Sequence, residues 1–326
     1  MSVKYAVIFP GQGSQKVGMG KDLYDQYDFI RDLLIKCDAE TGKNLSKIIF
    51  EGPQEELNQT KNTQIAIAMT SIALLEVLKF ELNKRGYKLT PIACCGHSLG
   101  EFSALYYCEV LDLSQIIKLV SRRGELMQNA PSGGMVAVIG EGISDIENLL
   151  SEEKYKGKIV IANYNSPAQV VLSGEKQSIE TLATEIKALG KKAIILPVSG
   201  AFHSHLMEEP SRNFNNIIDN LNLKQDSIIP IYQNCDGEKA TDKNLIIQKI
   251  KKQMTSSIYW TQTINNVVKD GVSTFIEIGP GNVLSGLVKK INKDVTCVNI
   301  NDLDSINNFI NNYEYAILQK PQPASK

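Results

Sequence analysis

Histidine and arginine are the scarce side chains of this 326-residue chain: it carries three histidines, and only five of its 35 basic residues are arginine. Any imidazole base must therefore be His97, His203 or His205. The guanidinium forks are confined to Arg31, Arg85, Arg122, Arg123 and Arg212. Charge of one sign is also lacking. A formal net charge of -1 gives no long-range attraction to nucleic acid or to an anionic membrane surface. The six cysteines contain no Cys-x-x-Cys pair and no metal-ligand spacing. Most lie in apolar stretches, so they read as small buried hydrophobes in a reducing compartment, the cytoplasm, and not as a disulfide framework. No secretory leader is recognisable, because Lys4-Tyr5-Ala6-Val7-Ile8-Phe9 reads as a strand. The longest apolar segment, 65–80, is broken by Thr70, Ser71, Glu76 and Lys79. It predicts a buried helix and excludes a membrane span. A dinucleotide fingerprint is missing as well, since position 16 after Gly11-Gln12-Gly13 holds lysine, and no Gly-Lys-Ser/Thr occurs.

What remains is an ordinary globular composition, 43% hydrophobic and 22% charged, with enough chain for one large domain and an insertion. After the first strand come helical patterns over 21–41 and 63–82, a strand over 92–95 and a helix over about 114–129, with Asp112 and Ser114 as available caps. This alternation predicts an α/β fold with a mostly parallel sheet covered on both faces. Between 131 and 199 the order becomes β-α-β-β-α-β: strands over 135–139, 159–162, 169–172 and 192–196, helices over 143–150 and 179–189, and a turn at 163–167. That is a small ferredoxin-like domain. It would be inserted into a large, discontinuous α/β-hydrolase-like domain of residues 1–130 and 200–316. Strands over 228–232, 274–278 and 295–300 resume the large sheet, and 317–326 reads as a loose tail.

The chemistry concentrates at Gly96-His97-Ser98-Leu99-Gly100, which follows the apolar run 91–95 and precedes a helical start at Glu101. A serine at such a strand-to-helix corner projects its hydroxyl from a tight turn, with helix N–H groups at hand for an oxyanion. Its base is to be sought among the histidines. His97 is adjacent but points elsewhere, toward packing or a backbone partner. His203 and His205 lie where the small domain returns to the large one, the natural place for a cleft. An esterase of the α/β-hydrolase type needs its histidine near the C-terminus, yet none follows His205. A patatin-like hydrolase pairs serine with an aspartate in an Asp-Gly turn, for which Asp236-Gly237 and Asp270-Gly271 are available. Gly11-Gln12-Gly13 is either an oxyanion donor loop or a plain tight turn.

Six separated motifs then agree in order: Phe9-Pro10-Gly11-Gln12-Gly13-Ser14-Gln15, Gly96 to Glu101, Ser121-Arg122-Arg123-Gly124 with Met127-Gln128, Asn163 to Pro167, Phe202-His203-Ser204, and Glu277-Ile278-Gly279-Pro280-Gly281. Over roughly residues 5–300 the chain closely resembles the malonyl-CoA:acyl carrier protein transacylases of fatty-acid synthesis. The resemblance implies Ser98 as the acylated nucleophile, His203 as base and Arg123 as the clamp on the malonate carboxylate. It further implies the backbone N–H groups of Gln12 and Leu99 as oxyanion hole and the backbone carbonyl of Gln253 as the support of the histidine. Phe202 before His203 resembles the malonyl-selective pattern of related acyltransferase domains. The implied partners are malonyl-CoA and, transiently, an acidic acyl carrier protein with its phosphopantetheine thiol. Lys187, Lys191 and Lys192, or Lys249, Lys251 and Lys252, are candidates for a basic rim facing it. No permanently bound cofactor and no metal is implied. A serine hydrolase using the same elbow, or a non-catalytic acyl-binding or docking protein, would be the alternatives.

Overall fold

The computed structural model describes residues 3–313 apart from 141 and 199, so the tail expected at 317–326 lies outside the described residues. A six-stranded sheet runs in the order β10-β9-β1-β2-β7-β8. Its strands are β1 (Tyr5–Phe9), β2 (Ala93–Gly96), β7 (Ile231–Tyr232), β8 (Lys239–Ala240), β9 (Thr274–Ile278) and β10 (Thr296–Ile300). All neighbours pair in parallel except β8, the antiparallel edge. A four-stranded antiparallel sheet is made of β3 (Gly134–Ile139), β4 (Ile159–Ser166), β5 (Gln169–Gly174) and β6 (Lys192–Ile195), in the order β4-β5-β3-β6. With helices Ile143–Leu150 and Lys176–Ala188 on one face, this is the split βαβ arrangement expected from the sequence.

Strand alternation explains how the layers assemble. In β1, Tyr5, Val7 and Phe9 enter one apolar cluster while Ala6 and Ile8 enter another, so both faces are buried. Continuous apolar runs are what a doubly covered parallel sheet requires. In β3 the alternation divides two jobs. Val136 and Val138 pack under the helices of the small sheet, whereas Met135 and Ala137 face the large unit.

Several elements differ from expectation. The helix expected over 21–41 is two, Lys21–Gln26 and Asp28–Thr41, because Tyr27 takes an extended conformation (φ -120°, ψ 117°). The turn expected at 163–167 is mostly strand: β4 runs on to Ser166, tied across to the large unit by Tyr164 N–H donating to the Ile258 carbonyl at 2.9 Å. Helices Leu45–Glu51, Gln54–Leu57, Glu208–Ile218, Lys243–Gln253, Trp260–Lys269 and Leu303–Tyr313 were not anticipated. None exceeds eleven residues, so each fills at most the shortest window over which helical periodicity can be read. The apolar segment is the helix Thr60–Lys84, buried through its middle turns, and no helix among the described residues is long and apolar enough to cross a membrane. Helix Leu113–Gln128 is capped by Asp112 through a reciprocal capping box with Gln115.

Candidate active site

The register of the parallel sheet places the site. Phe9 pairs with Gly96, so β1 and β2 end side by side, and the loops that follow them, 10–15 and 97–99, leave the same carboxyl edge. Open α/β sheets bind ligands at that edge. The corner is tight enough to require glycine. A Cβ at Gly100 would lie 2.0 Å from the Phe9 carbonyl oxygen, and one at Gly96 would lie 2.0 Å from the Gly100 carbonyl carbon. Ser98 itself is held at φ 49°, and His203 at φ 60°. Two non-glycine residues in the left-handed region, facing one another, mark strain that the surrounding contacts must maintain. Part of that restraint comes from Asn234, just beyond β7. Its Oδ1 accepts the Ser98 N–H at 2.6 Å while its Nδ2 donates to the Gly96 carbonyl at 2.7 Å.

Ser98 Oγ lies 2.8 Å from His203 Nε2, although the two are 105 positions apart in the chain. On the far side of the ring, His203 Nδ1 is 2.9 Å from the Gln253 carbonyl oxygen. A carbonyl only accepts, so Nδ1 carries the proton and Nε2 presents its lone pair to the serine hydroxyl. Burial and the nearby Arg123 charge hold the His203 imidazole down to about pH 3, so it stands neutral and able to accept a proton.

Arg123, on helix Leu113–Gln128, is fully buried. Its Nη1 donates to Gln64 Oε1 at 2.8 Å, and its Nη2 to Gln253 Oε1 at 2.9 Å and to Ser98 Oγ at 3.1 Å. Its Nε has no protein partner. Burial lowers its pKa to about 10, with the Glu101 carboxylate opposing, so it remains a cation at neutral pH. Its neighbour Arg122 pairs instead with Glu125 at the surface.

These groups border a cavity of about 360 Å³. Gln12, Ser98, Leu99, Arg123, Phe202 and His203 line it from the large unit, and Met135, Ala137, Val171, Leu196 and Val198 line it from the small sheet and the chain that leaves it. Neither the Gln12 nor the Leu99 N–H has a protein acceptor among the described residues. His97 also borders the cavity, but its Nε2 bonds the Asn165 side chain at 2.8 Å and its ring meets Trp260 edge-on, so its partner is a side chain and not backbone.

Other sequence candidates lie elsewhere. Asp236 pairs with Lys249, and Asp270 is engaged by Lys239 and the Tyr232 hydroxyl; neither borders the cavity. This removes both Asp-Gly turns as partners for Ser98. His205 begins a short 3-10 turn and is exposed. Within the proposed basic rims, Lys191, Lys249 and Lys251 are paired with Asp145, Asp236 and Asp219. Sequence reasoning missed Gln64, Glu101, Asn165 and Asn234. Gln64 left a signal as a polar residue at the start of an apolar helix stretch, and Glu101 and Asn165 lie inside the motifs at 96–101 and 163–167, which assigned them no role.

Comparison with known proteins gives the family. The acyl transferase domain family matches residues 6–315. A malonyl CoA-acyl carrier protein transacylase of Bacillus subtilis is 39% identical over 308 residues, covering 93% of this chain and 95% of that protein. An acyl carrier protein S-malonyltransferase from Vibrio cholerae superimposes with a TM-score of 0.86 at 36% identity, covering 94% of this chain and 99% of the other. A malonyl-transacylase seen in complex with its type II PKS acyl-carrier protein gives 0.88 at 33% identity, covering 95% and 99%. The chain therefore belongs to the acyl transferase family, among the malonyl CoA-acyl carrier protein transacylases.

Proposed function

We propose that this chain moves a malonyl group from malonyl-CoA to the phosphopantetheine thiol of an acyl carrier protein, through an ester on Ser98, and so supplies fatty-acid elongation. The observation that carries the reading is a hydroxyl shared between a neutral imidazole and a buried guanidinium, Ser98 Oγ between His203 Nε2 and Arg123 Nη2. In the first half-reaction Ser98 gives its proton to His203 Nε2 and attacks the thioester carbonyl. The tetrahedral oxyanion is met by the backbone N–H groups of Gln12 and Leu99. Collapse breaks the C–S bond, and His203 returns the proton to the departing coenzyme A sulfur. The carrier thiol then reverses these steps and restores Ser98–OH. Arg123 grips the free carboxylate of the malonyl group, a planar fork that lysine would not reproduce. The Gln253 carbonyl orients the base without placing a fixed negative charge beside an anionic substrate.

Apolar side chains around the reacting atoms (Met127, Met135, Val171, Leu196, Val198 and Phe202) keep water from the ester. Phe202 crowds the position of an α-branch, a preference worth ~1–3 kcal/mol per methyl. We read 131–199 as a small domain closing over a large one formed by 1–130 and 200–316. The chemistry belongs to side chains acting on thioester substrates. Six unpaired cysteines support a cytoplasmic setting. The test is malonyl-CoA with and without carrier protein. The reading expects malonyl-carrier to form and free malonate to appear far more slowly. Malonate released at the turnover rate without carrier would make the protein a hydrolase, and stoichiometric binding without turnover would make it an acyl-binding protein.

A further inference from the structure

Behind the cavity and outside its lining, Glu101 is fully buried in the first turn of helix Gly100–Tyr107, directly after the serine corner. Its carboxylate accepts from the side-chain amide of Gln253, and the Gln233 side chain and the Asn234 backbone N–H also reach it. The donors are not bystanders. Asn234 Oδ1 holds the Ser98 N–H, the Gln253 carbonyl holds His203 Nδ1, and Gln253 Oε1 holds Arg123 Nη2. The Gln253 amide can face only one way. Its Nε2 donates to two pure acceptors, the Glu101 carboxylate and the Ser98 carbonyl at 2.9 Å, which leaves Oε1 to face a pure donor, Arg123.

We infer that Glu101 is a positioning residue for acyl transfer: its carboxylate fixes the Gln253 side chain, which bonds the Ser98 carbonyl and Arg123 while its backbone carbonyl bonds His203, so that nucleophile, base and carboxylate clamp share one joint. The inference rests on the malonyl-transfer reading above. A helix-first-turn glutamate ordinarily serves the helix dipole from the surface. This one is turned inward onto residues far away in the chain, and what it aligns is the machinery and not the helix.

Three variants test it, each assayed with malonyl-CoA and acetyl-CoA against saturating holo acyl carrier protein. Glu101→Ala removes the acceptor. Glu101→Asp keeps the carboxyl group but withdraws it by one methylene. Glu101→Gln keeps an acceptor oxygen for Gln253, and its amide is accommodated when the Gln233 amide turns over, bringing the unpartnered Gln233 Oε1 toward it in exchange for the Nε2 bond to the Ile246 carbonyl. The expected result is a loss of roughly 30-fold or more in malonyl kcat/KM for Glu101→Ala and Glu101→Asp, as misplacement near a reacting centre commonly costs. The malonyl-to-acetyl ratio should fall with it because Arg123 loses its anchor, and Glu101→Gln should recover to within about 3-fold of wild type. If Glu101→Ala does not fold, as judged by circular dichroism, Glu101→Asp carries the comparison. Equal loss for both acyl groups, or Glu101→Gln as impaired as Glu101→Asp, overturns the inference. A wild-type protein that forms no malonyl adduct defeats the functional reading instead.

Discussion

The Gln253 carbonyl oxygen stands 2.9 Å from His203 Nδ1, in the place where many serine enzymes set a carboxylate. A carbonyl supplies the orientation and selects the Nδ1–H tautomer, but it adds no negative charge to stabilise an imidazolium. With Arg123 also pressing against protonation, the imidazole is a base that holds a proton only in passing.

This arrangement sets the pH behaviour of His203. Its folded pKa, about 3, lies below the ordinary histidine value of 6.5. The unfolded chain therefore takes up the proton first as pH falls. The stability contributed by the neutral ring is present above about pH 6.5 and is lost progressively toward pH 3. Nitrogen-15 NMR of labelled histidine should show His203 as the neutral Nδ1–H tautomer at pH 5. An imidazolium at that pH contradicts the account.

Arg123 should govern which acyl group is accepted. Arg123→Ala is expected to lower malonyl transfer by ~100-fold or more, as loss of one partner of a buried charge pair does. Acetyl transfer, which offers no carboxylate, should fall much less. Arg123→Lys should recover only part of the malonyl activity, since an ammonium cannot reproduce the contacts made by Nη1 and Nη2. Steady-state kinetics with the two thioesters decides it, and equal losses would remove the clamp.

Glu101 offers a stability test with the opposite sign. Burial raises its carboxyl to about 7 against the donors and the Arg123 charge that favour ionisation. A carboxyl with a raised folded pKa contributes stability that is full below its unfolded value near 4.5 and is lost as pH climbs through 7. Glu101→Gln should therefore gain stability relative to wild type between pH 5 and pH 8, by at most on the order of 3 kcal/mol. Denaturant melts at the two pH values check it; a difference that does not change with pH would show that Glu101 ionises as readily as a surface residue.

The glycine corner predicts a contrast in folding. Gly100→Ala would drive a methyl into the Phe9 carbonyl and should cost roughly 3 kcal/mol or more, or prevent folding. Gly286→Ala meets nothing within 4 Å on an exposed helix position and should be neutral or stabilising by about 0.5–1 kcal/mol. Comparable destabilisation of both would refute the packing argument.

The sheet was legible because β1 and β2 are apolar runs and β9 is apolar apart from Thr274 and Glu277, and the small antiparallel unit was legible from its β-α-β-β-α-β order. The short and polar helices were not, since their packing and not their composition makes them helical. Ser98 stands out as a serine between glycines, and scarcity narrows the base to three histidines and the clamp to five arginines, but it is the family resemblance that singles out His203 and Arg123. Glu101, Gln64 and Asn234 could not be given roles, since each is an ordinary residue type whose role arises from partners 50 or more residues distant. Even Gln253, anticipated for its carbonyl, carries a side-chain role that no local pattern discloses.

The central claim is a covalent acyl-serine, and intact mass spectrometry after mixing with malonyl-CoA tests it most directly. The account predicts one malonyl adduct per chain, mapped to Ser98, absent in Ser98→Ala and discharged on addition of holo carrier protein. An adduct that persists in Ser98→Ala, or none in a wild-type protein that still transfers malonate, contradicts it.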